Sequence, residues 1–463
     1  MSATAERMSR VDHAWLRMDN DVNLMMIVGV WLLQPHLSYA ALCSRIEQRL
    51  LQYPRFRQKV VEDALGACWV DDEDFDIRRH VRRETLPRGR DALQARCGEL
   101  ATTPLDPAHP LWQFHLIEHY QGGSAVLVRI HHCIGDGIAL TSVVMSITDG
   151  GEGPPQRRED AHAHDEGRAA ALIRPLTQLA VKAIDLSGEG VSLSMDLAAR
   201  PQAGTRELLR LGRRVATDMA ALALMDNDSP TRLKGRPVGR KVVAWGEPLS
   251  LDTVKSVCKA LGASVNDVLL ACVAGAIGSY LRTHGDDPTG KAIRAMVPVN
   301  LRPLDQAYQL GNRFGLAPLV LPVGIDNPVE RVYAVRARMG ELKGSYQPVL
   351  AFGVLALAGL LNKAAQDALL NLFAQKATAV MTNVPGPAQA LRLCGSTLRQ
   401  SIFWVPQTGN VAVGVSIFSY AGGVQFALIT DEALCPEPQR IIDRFAPELD
   451  KLVWLTLMLP WAA

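Results

Sequence analysis

The sequence predicts a mixed α/β protein of two lobes, and three observations carry that expectation. At 463 residues the chain is longer than one hydrophobic core ordinarily serves. Short apolar runs closed by Gly or Pro, the mark of strands, alternate with longer runs of helical periodicity. Between them, GGEGPPQRREDAHAH over residues 150–164 is abruptly polar and rich in Gly, Pro and charge, which marks a connection. The expected division is an N-terminal lobe over 1–150, a linker with bridging helices over 151–240, and a C-terminal lobe over 241–463.

The elements follow in order. LMMIVGVWLL at 24–33 is continuously apolar and closed by Gln34-Pro35, which suits a buried strand. Ser38 is placed to cap a helix through residue 51, with Leu42, Ile46 and Leu50 on one face. Residues 68–81 alternate irregularly, 90–101 has helical spacing, and Pro104, Pro107 and Pro110 punctuate a loop. Residues 111–119 and 125–130 read as two strands about the turn QGGS, and IALTSVVMSI at 138–147 as a buried helix. Helical patterns at 169–185 and 205–225 would bridge the lobes. In the second lobe the spacing predicts helices over 251–260, 264–281 and 329–343, strands over 295–299, 316–323, 378–383, 411–418 and 424–430, and a final helix from 437.

Composition excludes some functions. With 49 basic and 47 acidic residues the net charge is +2, leaving no electrostatic surplus for a nucleic-acid partner. The eight cysteines form no CxxC pair and sit mostly in apolar stretches, as free thiols do in a reducing cytoplasm. The opening MSATAERMSRVDHAW carries charge where a signal peptide needs an apolar core, so an unprocessed N-terminus is expected. The apolar run 349–361 is shorter than a spanning helix and broken by glycine. The tail KLVWLTLMLPWAA from Lys451 suits either a core-docking segment or an interfacial anchor.

The chemistry concentrates in HHCIGDG at 131–137, on a strand-to-helix connection where a side chain can face a ligand. Imidazole has an unperturbed pKa of about 6.5, so a neutral histidine can take a proton from an alcohol near neutral pH. Neighbouring side chains on a strand point to opposite faces, so one of His131 and His132 is chemical and the other structural. No Glu or Cys at zinc-ligand spacing accompanies the pair, and no metal is expected. Asp136 is placed to orient His132, to pair with an arginine, or to cap the following helix. Gly137 fits a position where a Cβ would obstruct a ligand channel.

His131, His132, Asp136 and Gly137 match the HHxxxDG signature of CoA-dependent acyltransferases and peptide-synthetase condensation domains. Pro110-Leu111-Trp112, Asn266-Asp267, PVNLRP at 298–303, GNRFG at 311–315, TNVPGP at 382–387 and Ser419-Tyr420 extend the likeness along the whole chain. Together they resemble the bacterial wax ester synthase/diacylglycerol acyltransferase family. The resemblance implies two chloramphenicol-acetyltransferase-like lobes joined by a helical crossover. It implies acyl-CoA as co-substrate without a further cofactor, and a long-chain alcohol or diacylglycerol as acceptor. It makes His132 the base that deprotonates the acceptor hydroxyl, with direct attack on the thioester. Asp136 becomes a structural residue, paired with Arg294 or Arg302. A cytoplasmic enzyme acting at a membrane or lipid-inclusion surface follows, with 349–361 and the C-terminal tail as candidate contacts.

The remaining motif residues carry competing readings. Asn266 and Asp267 either cap a helix or touch substrate, and Trp112 is either core or a substrate contact. Asn383 could offer an amide to the reacting oxygen. Asn300, where the family often has Ser, either bonds the acyl carbonyl or fixes a strand end. Two other functions compete: a condensation-type transferase acting on another hydroxyl or amine, and a catalytically silent lipid-binding or lipid-droplet protein. The intact HHxxxDG weighs against the second.

Overall fold

In this computed structural model, residues 5–63, 66–151, 225–302, 310–343, 345, 347–359, 361 and 363–458 are described. The first half runs β1 (Glu6–Arg7), α1 (Arg10–Arg17), β2 (Met26–Gln34), α2 (Tyr39–Arg49), β3 (Gln58–Asp63), β4 (Gly66–Asp71), α3 (Ile77–His80), β5 (Val81–Glu84), α4 (Arg90–Thr102), β6 (Trp112–Tyr120), β7 (Gly123–His131) and α5 (Gly137–Ile147). The second half runs β8 (Lys241–Trp245), β9 (Leu249–Ser250), α6 (Leu251–Leu261), α7 (Val265–Thr283), β10 (Ile293–Asn300), β11 (Phe314–Leu321), α8 (Pro328–Lys343), α9 (Gln347–Ala358), α10 (Lys363–Ala374), β12 (Ala379–Pro385), β13 (Arg392–Leu393), β14 (Ser396–Trp404), β15 (Val413–Tyr420), β16 (Gly423–Asp431) and α11 (Gln439–Leu457).

Each lobe is built on a mixed sheet. One has the order β13-β14-β2-β7-β6-β5, the other β11-β10-β12-β15-β16-β8 with β9 beside β16, and β1, β4 and β3 form a small third sheet. The expected caps are present: Ser38 accepts the amide of Ala41 at the start of α2, and Ser264 and Asp267 form a reciprocal capping box at the start of α7. Every residue of β7 is buried, as suits a strand inside its sheet, between β2 and β6.

The boundary expected at residue 241 does not follow the sheets. β14 pairs antiparallel with β2, so 392–404 complete the N-terminal sheet. The sequence of a strand records its alternation but not the partner it joins, which long-range packing decides. In return α4 packs on β8, where a Cβ on Gly98 would come within 2.4 Å of the Lys241 carbonyl oxygen. Only glycine permits that approach. The helices expected at 169–185 and 205–225 lie outside the described residues, Met225 excepted.

The run 349–361 proves to be mainly α9, which packs against β11 and α1 and buries Phe352, Leu355 and Ala356. Among the described residues one helix, Val265–Thr283, is long and apolar enough to cross a membrane, but 78% of its apolar window is buried inside the protein. α11 docks through Ile441, Phe445, Leu449 and Leu452, while its last turn exposes Trp454, Leu457 and Met458.

Candidate active site

The two sheets face each other across a cavity of about 400 Å³ whose lining is mainly apolar. From the first lobe β2, β7 and α5 contribute Ile27, Val128 and Leu140; from the second β10, β12 and α9 contribute Met296, Val380 and Val354. His132 is on its wall.

β7 delivers the histidine pair and the alternation holds. His131 turns into the protein, where its Nε2 meets Asp19 Oδ1 at 3.2 Å and its Nδ1 accepts the Cys133 amide at 3.1 Å. Burial opposes a charge on this ring, whereas neighbouring Cys133 and Asp19 favour one strongly enough to put its pKa above the ordinary histidine value. The Cys133 amide decides against that charge, since only an unprotonated Nδ1 can accept it, and burial keeps the Cys133 thiol protonated. His131 is therefore a neutral anchor that donates through Nε2 to Asp19.

His132 is 6% exposed and stacks on Trp15 with ring centroids 4.3 Å apart and planes at 16°, with Phe314 at 5.6 Å. Burial among these rings lowers its pKa to about 4, against smaller opposing effects of Asp136, its own carbonyl and Asn312. The imidazole is neutral at physiological pH. Nδ1 is buried without a hydrogen bond of full geometry, which leaves Nε2 as the nitrogen on the cavity side.

Asp136 serves as cap and ion-pair partner at once. Oδ1 accepts the Ala139 amide at 3.0 Å, capping α5, while Oδ2 accepts Arg302 Nη2 and the Arg313 amide, both at 3.1 Å. Of the two candidate arginines Arg302 is the partner. Arg294 is occupied elsewhere, with the carbonyls of Asp226 and Lys376. Arg302 also donates to Gly311 O at 2.7 Å, and Gly311 N bonds Ile134 O at 3.0 Å, so the segment after β10 is laced to the histidine loop. A Cβ on Gly137 would meet no protein atom within 4 Å, and the residue lines the cavity, so a larger side chain would take up cavity space rather than clash.

Other expected site residues divide. Asn300 is at the cavity, but its amide is spent locking the turn to Arg302, accepting Arg302 N at 2.9 Å and donating to Arg302 O at 3.1 Å. It fixes the strand end. Asn383 lines the cavity and donates to Asn266 Oδ1, so Asn266 stands behind the wall as its support. Asp267 belongs to the capping box of α7. Trp112 is not a substrate contact: fully buried in β6, it donates to Phe56 O at 2.9 Å and stacks on His80 at 4.5 Å. Aromatic residues from 56–80 fill the space beside it and hold it in the core.

Two family models together match most of the chain: the wax ester synthase/diacylglycerol acyltransferase catalytic domain over residues 8–269, and the C-terminal domain of the same family over 310–453. The chain belongs to the wax ester synthase/diacylglycerol acyltransferase family. It is 28% identical over 403 residues to the probable diacylglycerol O-acyltransferase Tgs1 of Mycobacterium tuberculosis, covering 84% of this chain and 83% of that one. Among solved structures it is similar to the wax ester synthase/diacylglycerol acyltransferase from Marinobacter aquaeolei VT8, with TM-score 0.66, 21% identity, and coverage of 98% and 100% of the two chains. The starter condensation domain of rhizomide synthetase shares the fold at TM-score 0.59 and 11% identity, over 99% of this chain and 98% of that one. The protein is thus an O-acyltransferase of two mixed α/β lobes, in a family that makes wax esters or triacylglycerol.

In this family member the residues that hold His132 come from two segments whose role the sequence did not announce. Ser9 caps α1, and Asp12 and Trp15, three apart, lie on one face of it. Asp12 Oδ1 accepts the Asn312 amide at 2.9 Å and Asn312 Nδ2 at 2.7 Å, and the same Nδ2 donates to His132 O at 2.7 Å. Burial raises the Asp12 pKa, partly offset by donors from Asn312 and Ser9. The GNRFG motif was visible at 311–315, and its chemistry lies in joining α1 to the histidine loop.

Proposed function

We propose that His132 Nε2 is the general base in transfer of a long-chain acyl group from acyl-CoA to the hydroxyl of a long-chain alcohol or diacylglycerol. The observation that carries this reading is a neutral imidazole with one nitrogen turned into the protein and the other toward an apolar cavity. Nε2 takes the hydroxyl proton as the acceptor oxygen forms its bond to the thioester carbonyl carbon. The tetrahedral intermediate collapses with cleavage of the C–S bond, and the departing CoA sulfur receives the proton from the imidazolium. No covalent acyl-enzyme forms. Asn383, held by Asn266, is the wall amide proposed to steady the oxyanion.

Both substrates partition into lipid, and the exposed last turn of α11, with Trp454 65% and Met458 79% exposed beside Lys451, is proposed as the contact with a membrane or inclusion surface. Flotation with phosphatidylglycerol vesicles tests it: Trp454→Glu with Leu457→Glu should remain at the bottom of the gradient, and unchanged flotation rules out this turn.

The activity is tested with purified protein, palmitoyl-CoA and either hexadecanol or dioleoylglycerol, following free thiol and lipid product together. Thiol release matched by ester is expected. Release without ester, or none with either acceptor, would defeat the reading, and direct competition between the acceptors assigns the product class.

A further inference from the structure

The apolar cavity has a built end. Along β2 the residues facing it are spaced by two: Ile27, Gly29 and Trp31, with Met25 just before the strand. A second row along the cavity is one stripe of α5, Gly137, Thr141 and Val144. The base stands at one end of both rows, since His132 N donates to Met25 O at 2.7 Å and Gly137 opens the helix five residues later. From Met25 to Trp31 an extended strand covers about 20 Å. Gly29 leaves the middle of this channel open.

Beyond Trp31 lies a second void, of about 10 Å³, lined by Trp31, Leu33, Val144, Ile147, Thr148, Leu393 and Leu398. Only Trp31 and Val144 line both spaces, so these two side chains are the partition between them. Trp31 is held in that position from the side, its ring 5.8 Å from that of Phe114. The void continues the same two rows, Leu33 on β2 and Thr148 after α5. Large enough for roughly one water but without polar partners to hold it, such a space stays dry.

We propose that Trp31, backed by Val144, is the floor of an alkyl channel and sets the length of the straight chain accepted there; this rests on the acyl-transfer reading above. The occupant is a linear saturated chain, either that of the acyl donor or that of the alcohol. Removing the indole joins the channel to the void and lets a longer chain pass. Each methylene newly buried should raise relative kcat/KM roughly fourfold.

The experiment measures kcat/KM for full-length wild type, Trp31→Leu and Trp31→Ala in two series: decanoyl- to eicosanoyl-CoA with hexadecanol fixed, and decanol to eicosanol with palmitoyl-CoA fixed. A shift of the optimum toward longer chains is expected in one series, which names the substrate that occupies the channel. Adding Leu393→Phe, which refills the void, should return the Trp31→Ala optimum toward that of wild type, a reversal that general loosening would not produce. Because the readout is a ratio between chain lengths, a less stable Trp31→Ala does not disturb it, and Trp31→Leu carries the test if Ala does not fold. Wild-type turnover with unchanged optima in both series overturns the assignment of Trp31. No turnover by wild type in either series overturns the acyl-transfer reading, and this proposal with it.

Discussion

The histidine proposed as the base is packed against indole and phenyl rings, which would make it a base that is always available and intrinsically modest in strength. With the pKa of His132 lowered to about 4, the neutral ring persists well below the ordinary histidine value. kcat/KM should therefore show no acid limb near pH 6.5 from this group, and should fall only as the pH approaches 4. Profiles measured in buffers of constant ionic strength check this, and an inflection at the ordinary value contradicts the dry environment. The sign for stability is the same. Between pH ~6.5 and ~4 the unfolded chain binds more protons at this residue, so the contribution of neutral His132 is complete above ~6.5 and lost as pH falls through about 4.

Asp136 permits a separation of roles. Asn caps helices as well as Asp does, so Asp136→Asn keeps the bond to Ala139 while removing the charge opposite Arg302. Breaking a buried pair from one side costs about 3–5 kcal/mol, so denaturant unfolding should lose that amount in the variant. A loss below about 1 kcal/mol would assign the stability to the cap alone. The histidine alternation and the cap, one of three roles open to Asp136, were legible in sequence because both follow from local geometry, whereas the arginine, 166 residues away, was narrowed to Arg294 or Arg302 only by the family resemblance. Asp12, Trp15 and Asn312 were not legible, since a contact spanning 300 residues leaves no mark in local spacing.

At the scale of elements, the site depends on a splice between α1 and the segment that follows β10. Asp12 and Asn312 form its centre, so single alanine substitutions should each destabilise, and the double-mutant cycle should return a coupling of about 0.5–3 kcal/mol. Additive effects, measured by denaturant unfolding, would show that the splice is incidental. Elements with strong periodicity, such as β2, β7, α5 and α7, were readable from their own residues. The placement of β14 beside β2 was not, nor was the docking of α9 over the cavity, because both depend on which apolar faces remain uncovered once the lobes meet.

For the whole molecule, two lobes exchange elements, and the cavity lies where their sheets face each other. That arrangement explains why the motifs are spread along the chain: HHCIGDG supplies His132, the proposed base, Arg302 and Asn312 brace its loop, and TNVPGP contributes the far wall at Asn383. Removal of the acceptor proton by His132 is tested by thiol release from His132→Ala, measured with palmitoyl-CoA and hexadecanol beside a thermal unfolding curve. A loss of roughly 10²- to 10⁴-fold in kcat is expected, with the folded structure retained. Wild-type thiol release by the folded variant would contradict it.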